Sequence, residues 1–222
     1  MPNVRSIVLA NNEIYHVFNR SVANAEIFLG VKNTNRALDL LKYYKNNSKV
    51  KFSIFNKMTD DAKNEISQNN NKFPIVQIYA YCLMPNHFHI LIRQVADKGI
   101  EKFLSNFQNG FAKYFNIRNK RSGALFQRPF KAKHVSTDEE FLHLSRYIHL
   151  NPVTSFIMNF EKLKGSEITS LPQYLAKNTK GYVNTDFLYG MIRSQKKYLD
   201  FLSNQVDYQR RLSKIRHLII EK

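Results

Sequence analysis

The apolar positions of this chain follow two rhythms, one of every second residue and one of every third or fourth, and their order predicts a mixed α and β architecture. Residues 13–20, Glu-Ile-Tyr-His-Val-Phe-Asn-Arg, are rich in β-branched and aromatic types and read as a first strand. Over residues 33–44, Ala37, Leu38, Leu40, Leu41 and Tyr44 recur near helical spacing, with Asn33, Thr34 or Asn35 available as N-cap. The pattern then dissolves into Asn, Lys and Ser over 46–72, which predicts an inserted loop with one short helix near 60–66. Two apolar runs, 74–83 and 87–94, flank the turn signal Met84-Pro85-Asn86 and predict a hairpin in the centre of a sheet. Ile100, Phe103, Leu104, Phe107, Phe111, Tyr114 and Phe115 then make an amphipathic helix over 99–117, in which Gly110 is a weak point.

Residues 124–135 read as an irregular strand broken by Pro129. Ser136 and Thr137 each precede a glutamate by three residues, Glu139 and Glu140, so either pair can form a capping box. The helix they open runs to Asn151, where Pro152 is expected to stop it. A loop over 168–175 and helical stretches over 186–202 and 206–220 follow. The organisation expected is a main domain over 1–155, carrying the 46–72 insert, and a C-terminal helical extension over 156–222.

Charge changes the picture. Among 222 residues, 34 are Lys or Arg and 17 are acidic, a formal charge of +17 that points to a polyanionic partner. No acidic residue occurs from Lys102 to Thr137, while Lys113, Arg118, Lys120, Arg121, Arg128, Lys131 and Lys133 all fall there, a stripe suited to phosphates. A solvated basic surface is the ordinary alternative for any one of them. The single cysteine, Cys82, excludes a disulfide framework or a cysteine zinc site and fits a reducing cytoplasm. Neither a secretory h-region nor an eighteen-residue apolar run occurs, so a soluble protein without a membrane span is expected.

The candidate chemistry lies in two places. His87 and His89 stand two apart in a strand, so their rings point the same way and can converge on one cation. Tyr147 and Asn151 stand one turn apart on a helix face, a nucleophile beside a third ligand. A divalent ion held by His87, His89 and the Asn151 side-chain carbonyl would stabilise charge while Tyr147 attacks a phosphodiester, giving a tyrosyl-phosphate ester that a 3′-hydroxyl can later reverse. Each element also has a plainer reading: paired strand histidines are often structural, helical tyrosines usually pack a core, and Asn before Pro is a common helix stop. His16, His134, His143, His149 and His217 show no ligand-type pairing, except that His143 shares the face of Tyr147 and Asn151.

Four stretches, in order, carry a resemblance: Tyr15-His16-Val17-Phe18-Asn19-Arg20, the run from Tyr81 to Leu91, Gly123-Ala124-Leu125-Phe126-Gln127-Arg128-Pro129-Phe130-Lys131, and Arg146-Tyr147-Ile148-His149-Leu150-Asn151-Pro152-Val153. Over about residues 13–155 the chain resembles the REP-associated tyrosine transposases, a branch of the single-tyrosine HUH transposases of bacterial insertion sequences. The resemblance implies an α+β fold, a ferredoxin-like antiparallel sheet with flanking helices, to which the C-terminal helical appendage is added. It implies a Mg²⁺ or Mn²⁺ site on His87, His89 and Asn151, with Tyr147 as nucleophile. It also implies cleavage of single-stranded DNA beside a hairpin through a 5′-phosphotyrosine, in the cytoplasm at the nucleoid, by a monomer or a homodimer. Ser21, where the family commonly has glycine, departs from the pattern, as do the insert and the C-terminal helices. For DNA contacts the sequence points to Arg20, Arg128, Lys131 and Lys133, with Arg118, Lys120 and Arg121 on the adjacent loop. The alternative is a non-catalytic nucleic-acid-binding regulator on the same fold. A His-x-His metallohydrolase would call for a longer barrel and further ligands.

Overall fold

The computed structural model describes residues 7–176 and 181–204. The elements run β1 (Ile14–Arg20), a 3-10 turn (Val22–Asn24), α1 (Val31–Tyr44), α2 (Phe52–Phe55), α3 (Asp60–Asn71), β2 (Val76–Met84), β3 (His87–Gln94), α4 (Gly99–Arg118) and β4 (Lys131–Val135). After them come α5 (Asp138–Thr154), α6 (Phe160–Leu163), α7 (Leu171–Leu175), α8 (Asp186–Ile192) and α9 (Gln195–Ser203). The strands form one antiparallel sheet in the order β2-β3-β1-β4. Because β3 lies between β1 and β2, β1-α1-β2 is a split crossover, the ferredoxin-like arrangement.

The two longest periodic segments cover opposite faces. On one, α4 lays its phenylalanine row on β3, with the Phe107 ring edge-on to Phe88 at 5.3 Å, and α1 packs against α4. Phe103, Phe107 and Phe111 are fully buried, each contributing about 1.5–3 kcal/mol of transfer free energy. Gly110 serves this contact: a Cβ there would lie 3.3 Å from Leu40 Cδ2, so its bare backbone admits α1 closely. On the other face lies α5, with Phe141 packed edge-on against Tyr79 of β2 at 5.1 Å.

Several expectations need correction. The hairpin of β2 and β3 is not wholly central, since β2 ends the strand order. Its continuous apolar run arises because the C-terminal segment covers its edge. Leu83 N–H donates to Ile168 O, Ser170 N–H to Tyr81 O and Asn184 N–H to Ile78 O, at 2.7, 3.1 and 2.8 Å. Pro152 does not stop α5, which continues to Thr154. So near the end the missing N–H forfeits one helical bond, and the buried side chains of Ile148 to Thr154 hold the turn in place. The helix expected over 186–202 is two, broken where Arg193 adopts φ 68° and Ser194 caps the second by accepting from Lys197 N. The insert holds α2 and a longer α3, capped by Thr59, rather than one short helix near 60–66. The irregular strand over 124–135 is regular only from Lys131. The helix expected over 206–220 lies outside the described residues, among which no helix is long and apolar enough to cross a membrane.

Candidate functional site

Strand alternation turns Val17 and Asn19 toward α4, where Asn19 donates to Gln108 Oε1, and His16, Phe18 and Arg20 toward the face that carries α5. Antiparallel register then sets Phe18 opposite His89 and Arg20 opposite His87, while β4 sets Lys131 opposite Phe18 and Lys133 opposite His16. One sheet face therefore collects His16, His87 and His89 with cations at its rim.

The helix that meets them is fixed at its start. Thr137 Oγ1 accepts from Glu140 N at 3.1 Å, and Glu140 Oε2 accepts in return from Ser136 N at 2.8 Å, a box shared between the two candidate caps. The buried row Phe141, Ser145, Ile148, His149 and Pro152 holds α5 down. Rotation by one step leaves His143, Tyr147 and Asn151 on the adjoining row. Tyr147 is 37% exposed, and its ring stands edge-on to His89 and His16 with centroids 5.6 and 6.3 Å apart.

Burial keeps the three imidazoles neutral. Desolvation, aided by the charge of Arg20, lowers His87 to about 4. His16 and His89 are both held well below the ordinary histidine range, chiefly by burial, with Lys133 adding to the effect on His16. Asn86 Oδ1 lies 2.6 Å from His87 Nδ1, so in neutral His87 Nδ1–H donates to it and Nε2 keeps its lone pair. His89 spends Nδ1 on His16 Nε2 at 2.9 Å, which leaves its own Nε2 as the remaining ring nitrogen. Neutral imidazoles braced in this way are the form that ligates a divalent cation.

Asn151 is 6% exposed, and its Nδ2 is buried without a hydrogen-bond partner, while Oδ1 accepts a long 3.5 Å bond from Ser155 Oγ. Turning the amide over would give Ser155 a donor and present Oδ1 at the orphaned position, so the side chain suits an electropositive ligand. Among the described residues no group of three or more His, Cys, Asp or Glu side chains converges at metal-ligand spacing. A cation here would rest on two imidazoles and an amide oxygen, a set that fits Mg²⁺ or Mn²⁺ with water and phosphate oxygens filling the remaining positions.

The expected DNA contacts divide into three groups. Arg20, Lys131 and Lys133 stand on the histidine face. Arg128, exposed, lines a groove with Gln108 and Asn109 of α4 on the other side of the sheet. Arg118 donates to Tyr114 Oη, and Arg121 to Ala124 O while lying over Phe115, so these bonds run to α4 and its following loop rather than to the histidines. Lys120 is exposed in that loop with φ 49°. His143 accepts from Arg146 Nη2 at 2.7 Å and faces Glu139, so its bonds stay on its own helix.

Two histidines in the site region carry no spacing signal. His16 joins the site only through the pairing of β1 with β3, and strand alternation within β1 was the one sign of its face. His149, fully buried, bridges Ser170 Oγ at 2.7 Å and Tyr198 Oη at 2.6 Å, and Tyr198 Oη–H also reaches Ser145 Oγ at 3.3 Å. Tyr81 N–H donates to the same Ser170 Oγ. This chain of bonds joins the helix of Tyr147 to β2 and to α9.

Comparison with known proteins agrees with this geometry. A family model described as IS200-like transposase matches residues 38–151, just over half of the chain, and spans His87, His89, Tyr147 and Asn151. The chain resembles the solved structure of a REP-associated tyrosine transposase bound to a REP hairpin. The TM-score is 0.52 at 12% identity, over 84% of this chain and 90% of that one. A candidate transposase from Deinococcus radiodurans r1 aligns with a TM-score of 0.36 at 14% identity, over 67% of this chain and 95% of that one. No curated protein matches the sequence.

Proposed function

The chain belongs to the IS200-like transposase family, and from that premise we propose that it cuts and rejoins single-stranded DNA at hairpin-flanked ends through a phosphotyrosine at Tyr147. The observation that carries this reading is the meeting of Tyr147 with His89 on one sheet face, ring centroids 5.6 Å apart, although the two residues are far apart in sequence. The solved relative bound to a REP hairpin supports a folded single strand as the substrate class.

In this reading Tyr147, on the exposed row of α5, has solvent on one side for an incoming strand and the histidine face on the other. Its phenolic oxygen attacks phosphorus and forms the Tyr–O–P bond as the P–O3′ bond breaks. The phenol proton passes to solvent, and the departing O3′ takes up a proton to become a hydroxyl. Attack by a 3′-hydroxyl on the tyrosyl ester reverses the same bonds, which conserves bond energy and needs no nucleotide cofactor. Arg20, Lys131 and Lys133 hold the strand by its phosphates at the rim of the site. His87, His89 and Asn151 would hold a divalent cation. When bound, such an ion supplies charge stabilisation to a phosphate whose nucleophile has a free pKa of roughly 10.

The test is a denaturing gel of labelled single-stranded hairpin DNA incubated with the protein and Mn²⁺, with EDTA or with no addition. A slow-migrating adduct that needs the ion is expected. Binding without an adduct across a panel of hairpins would sink the reading in favour of a non-catalytic regulator.

A further inference from the structure

The 46–72 insert, where the chain departs from the family pattern, encloses a cavity of about 310 Å³ against α1. That volume lies within the range of about 300–1,000 Å³ typical of small-molecule sites. One wall is α3, which buries no side chain of its own. Lys63, Ser67 and Asn70 stand four and then three residues apart on it, so one polar helix face lines the cavity. A helix that is polar all round has little apolar burial to hold it in place. Asn71 ties it to the rest of the fold, its Oδ1 accepting from Asn46 Nδ2 at 2.8 Å.

The facing wall is aromatic. Phe55 and Tyr43 pack with ring centroids 4.6 Å apart. Tyr43 spends its hydroxyl on Ser48 and Val50, while Phe55 is half-buried and lines the cavity. Beside them sits Asn46, 5% exposed. Asn71 takes one end of its amide, and the other end, Oδ1, is buried without a hydrogen-bond partner. Turning both amides over would exchange the two ends and still leave one unmet. Lys45, at the end of α1, is fixed to the start of β2 because its carbonyl accepts from Ile75 N and Val76 N. Its ammonium is half-buried, and among the described residues no carboxylate forms an ion pair with it. Burial, with Lys42 beside it, lowers its pKa. Asp39, the carboxylate in the lining, is raised by burial.

We propose that this cavity binds a free ribonucleoside phosphate, a ligand that strand transfer at Tyr147 neither needs nor consumes. Each part of such a ligand answers a feature of the lining. The base stacks on Phe55, and an N–H on its edge donates to the unmet Oδ1 of Asn46. The phosphate brings the missing counter-charge to Lys45 and Lys42. Asp39 would repel a bare phosphate, but it accepts from a ribose hydroxyl, the use that a carboxylate has in dinucleotide sites. A DNA strand fits less well, because its sugar offers Asp39 no 2′-hydroxyl. Once bound, the nucleotide bridges α3 to α1 and braces a helix that has no buried side chain of its own. The inference goes beyond the tyrosine reading and does not depend on it.

The test is calorimetric titration of the full-length protein, in EDTA, with the 5′-monophosphates of adenosine, guanosine, cytidine and uridine, their 2′-deoxy forms, the free nucleosides and inorganic phosphate. At least one ribonucleotide should bind one to one, about tenfold or more tightly than its deoxy form, its nucleoside or phosphate alone. Lys45→Gln and Phe55→Leu should each weaken it about tenfold, and Asp39→Ala should abolish the preference for ribose. Lys42→Gln, a change on an exposed side chain, repeats the charge test in a variant that keeps the fold, and unfolding midpoints without ligand report on folding. A saturating unpaired oligonucleotide should leave nucleotide binding unchanged. Displacement by it would place the nucleotide on the catalytic face and overturn the assignment, as would undiminished affinity in both Lys42→Gln and Phe55→Leu. Binding of phosphate as tightly as any nucleotide, or of no ribonucleotide at all, would overturn the ligand class. Each of these outcomes leaves the tyrosine reading where it stands.

Discussion

His16 Nε2 and His89 Nδ1 lie 2.9 Å apart in the buried layer beneath Tyr147, joining β1 to the histidine pair of β3. The bond fixes the ring plane of His89 and settles which of its nitrogens faces away, so His16 acts as a positioning residue. Outer partners of this kind typically change metal affinity by about 10- to 100-fold. A His16→Ala variant should therefore bind Mn²⁺ about tenfold or more weakly by electron paramagnetic resonance, with affinity for unpaired DNA in EDTA unchanged. Equal Mn²⁺ affinity in the two proteins would remove His16 from this role.

Tyr198→Phe keeps the ring that fills the core and removes one hydroxyl. That hydroxyl serves His149 Nδ1 at 2.6 Å and Ser145 Oγ at 3.3 Å, and every partner is buried. Leaving a buried donor unmet costs about 1–3 kcal/mol. Urea unfolding should show a loss of that size, and a midpoint equal to that of the unmodified protein would mean the chain of bonds contributes nothing net.

Acid should destabilise the fold by a route that runs through His149. Burial lowers it to about 3 from an ordinary value of 6.5, so between those limits the unfolded chain takes up a proton that the folded one refuses. Stability is then flat above about pH 6.5 and falls as pH drops toward 3, by at most about 1.4 kcal/mol per pH unit for this group. His16, His87 and His89 add in the same direction. Urea midpoints measured from pH 7.5 down to pH 5 should fall, and His149→Gln should flatten the slope. A flat profile for the unmodified protein would contradict the burial of neutral histidines.

Gly99 opens α4 against the backbone of the residue that precedes β2. A Cβ there would sit 2.1 Å from Ile75 O, a clash with main chain that no rotamer relieves. Gly99→Ala should cost more than about 2 kcal/mol, opposite in sign to the usual gain of Gly→Ala in a helix. Thermal unfolding decides it, and a stabilised variant would show that α4 enters at a different angle.

What the sequence made legible follows from periodicity. The strand of His16 and the helices of Phe107 and Tyr147 each bury one continuous side, so their patterns survive in one dimension. The edge position of β2 did not, because Ile168, Ser170 and Asn184 cover it from almost a hundred residues away and make an edge strand read as a central one. Pro152 misled because a local rule about helix ends was outweighed by burial of the turn around it. The break at Arg193 rests on one left-handed residue that carries no composition signal. In the site, spacing within one element revealed His87 with His89 and Tyr147 with Asn151. His16 depends on a neighbouring strand for its place in the site, and so stayed hidden.

The central claim is that Tyr147, among twelve tyrosines, is the residue that joins DNA. Digestion of the protein–DNA adduct with a nuclease and a protease, followed by mass spectrometry, locates the modified residue. The account predicts a nucleotide phosphate on the peptide containing Tyr147, and no adduct from Tyr147→Phe. A phosphotyrosine on any other peptide, or an undiminished adduct in that variant, would contradict it.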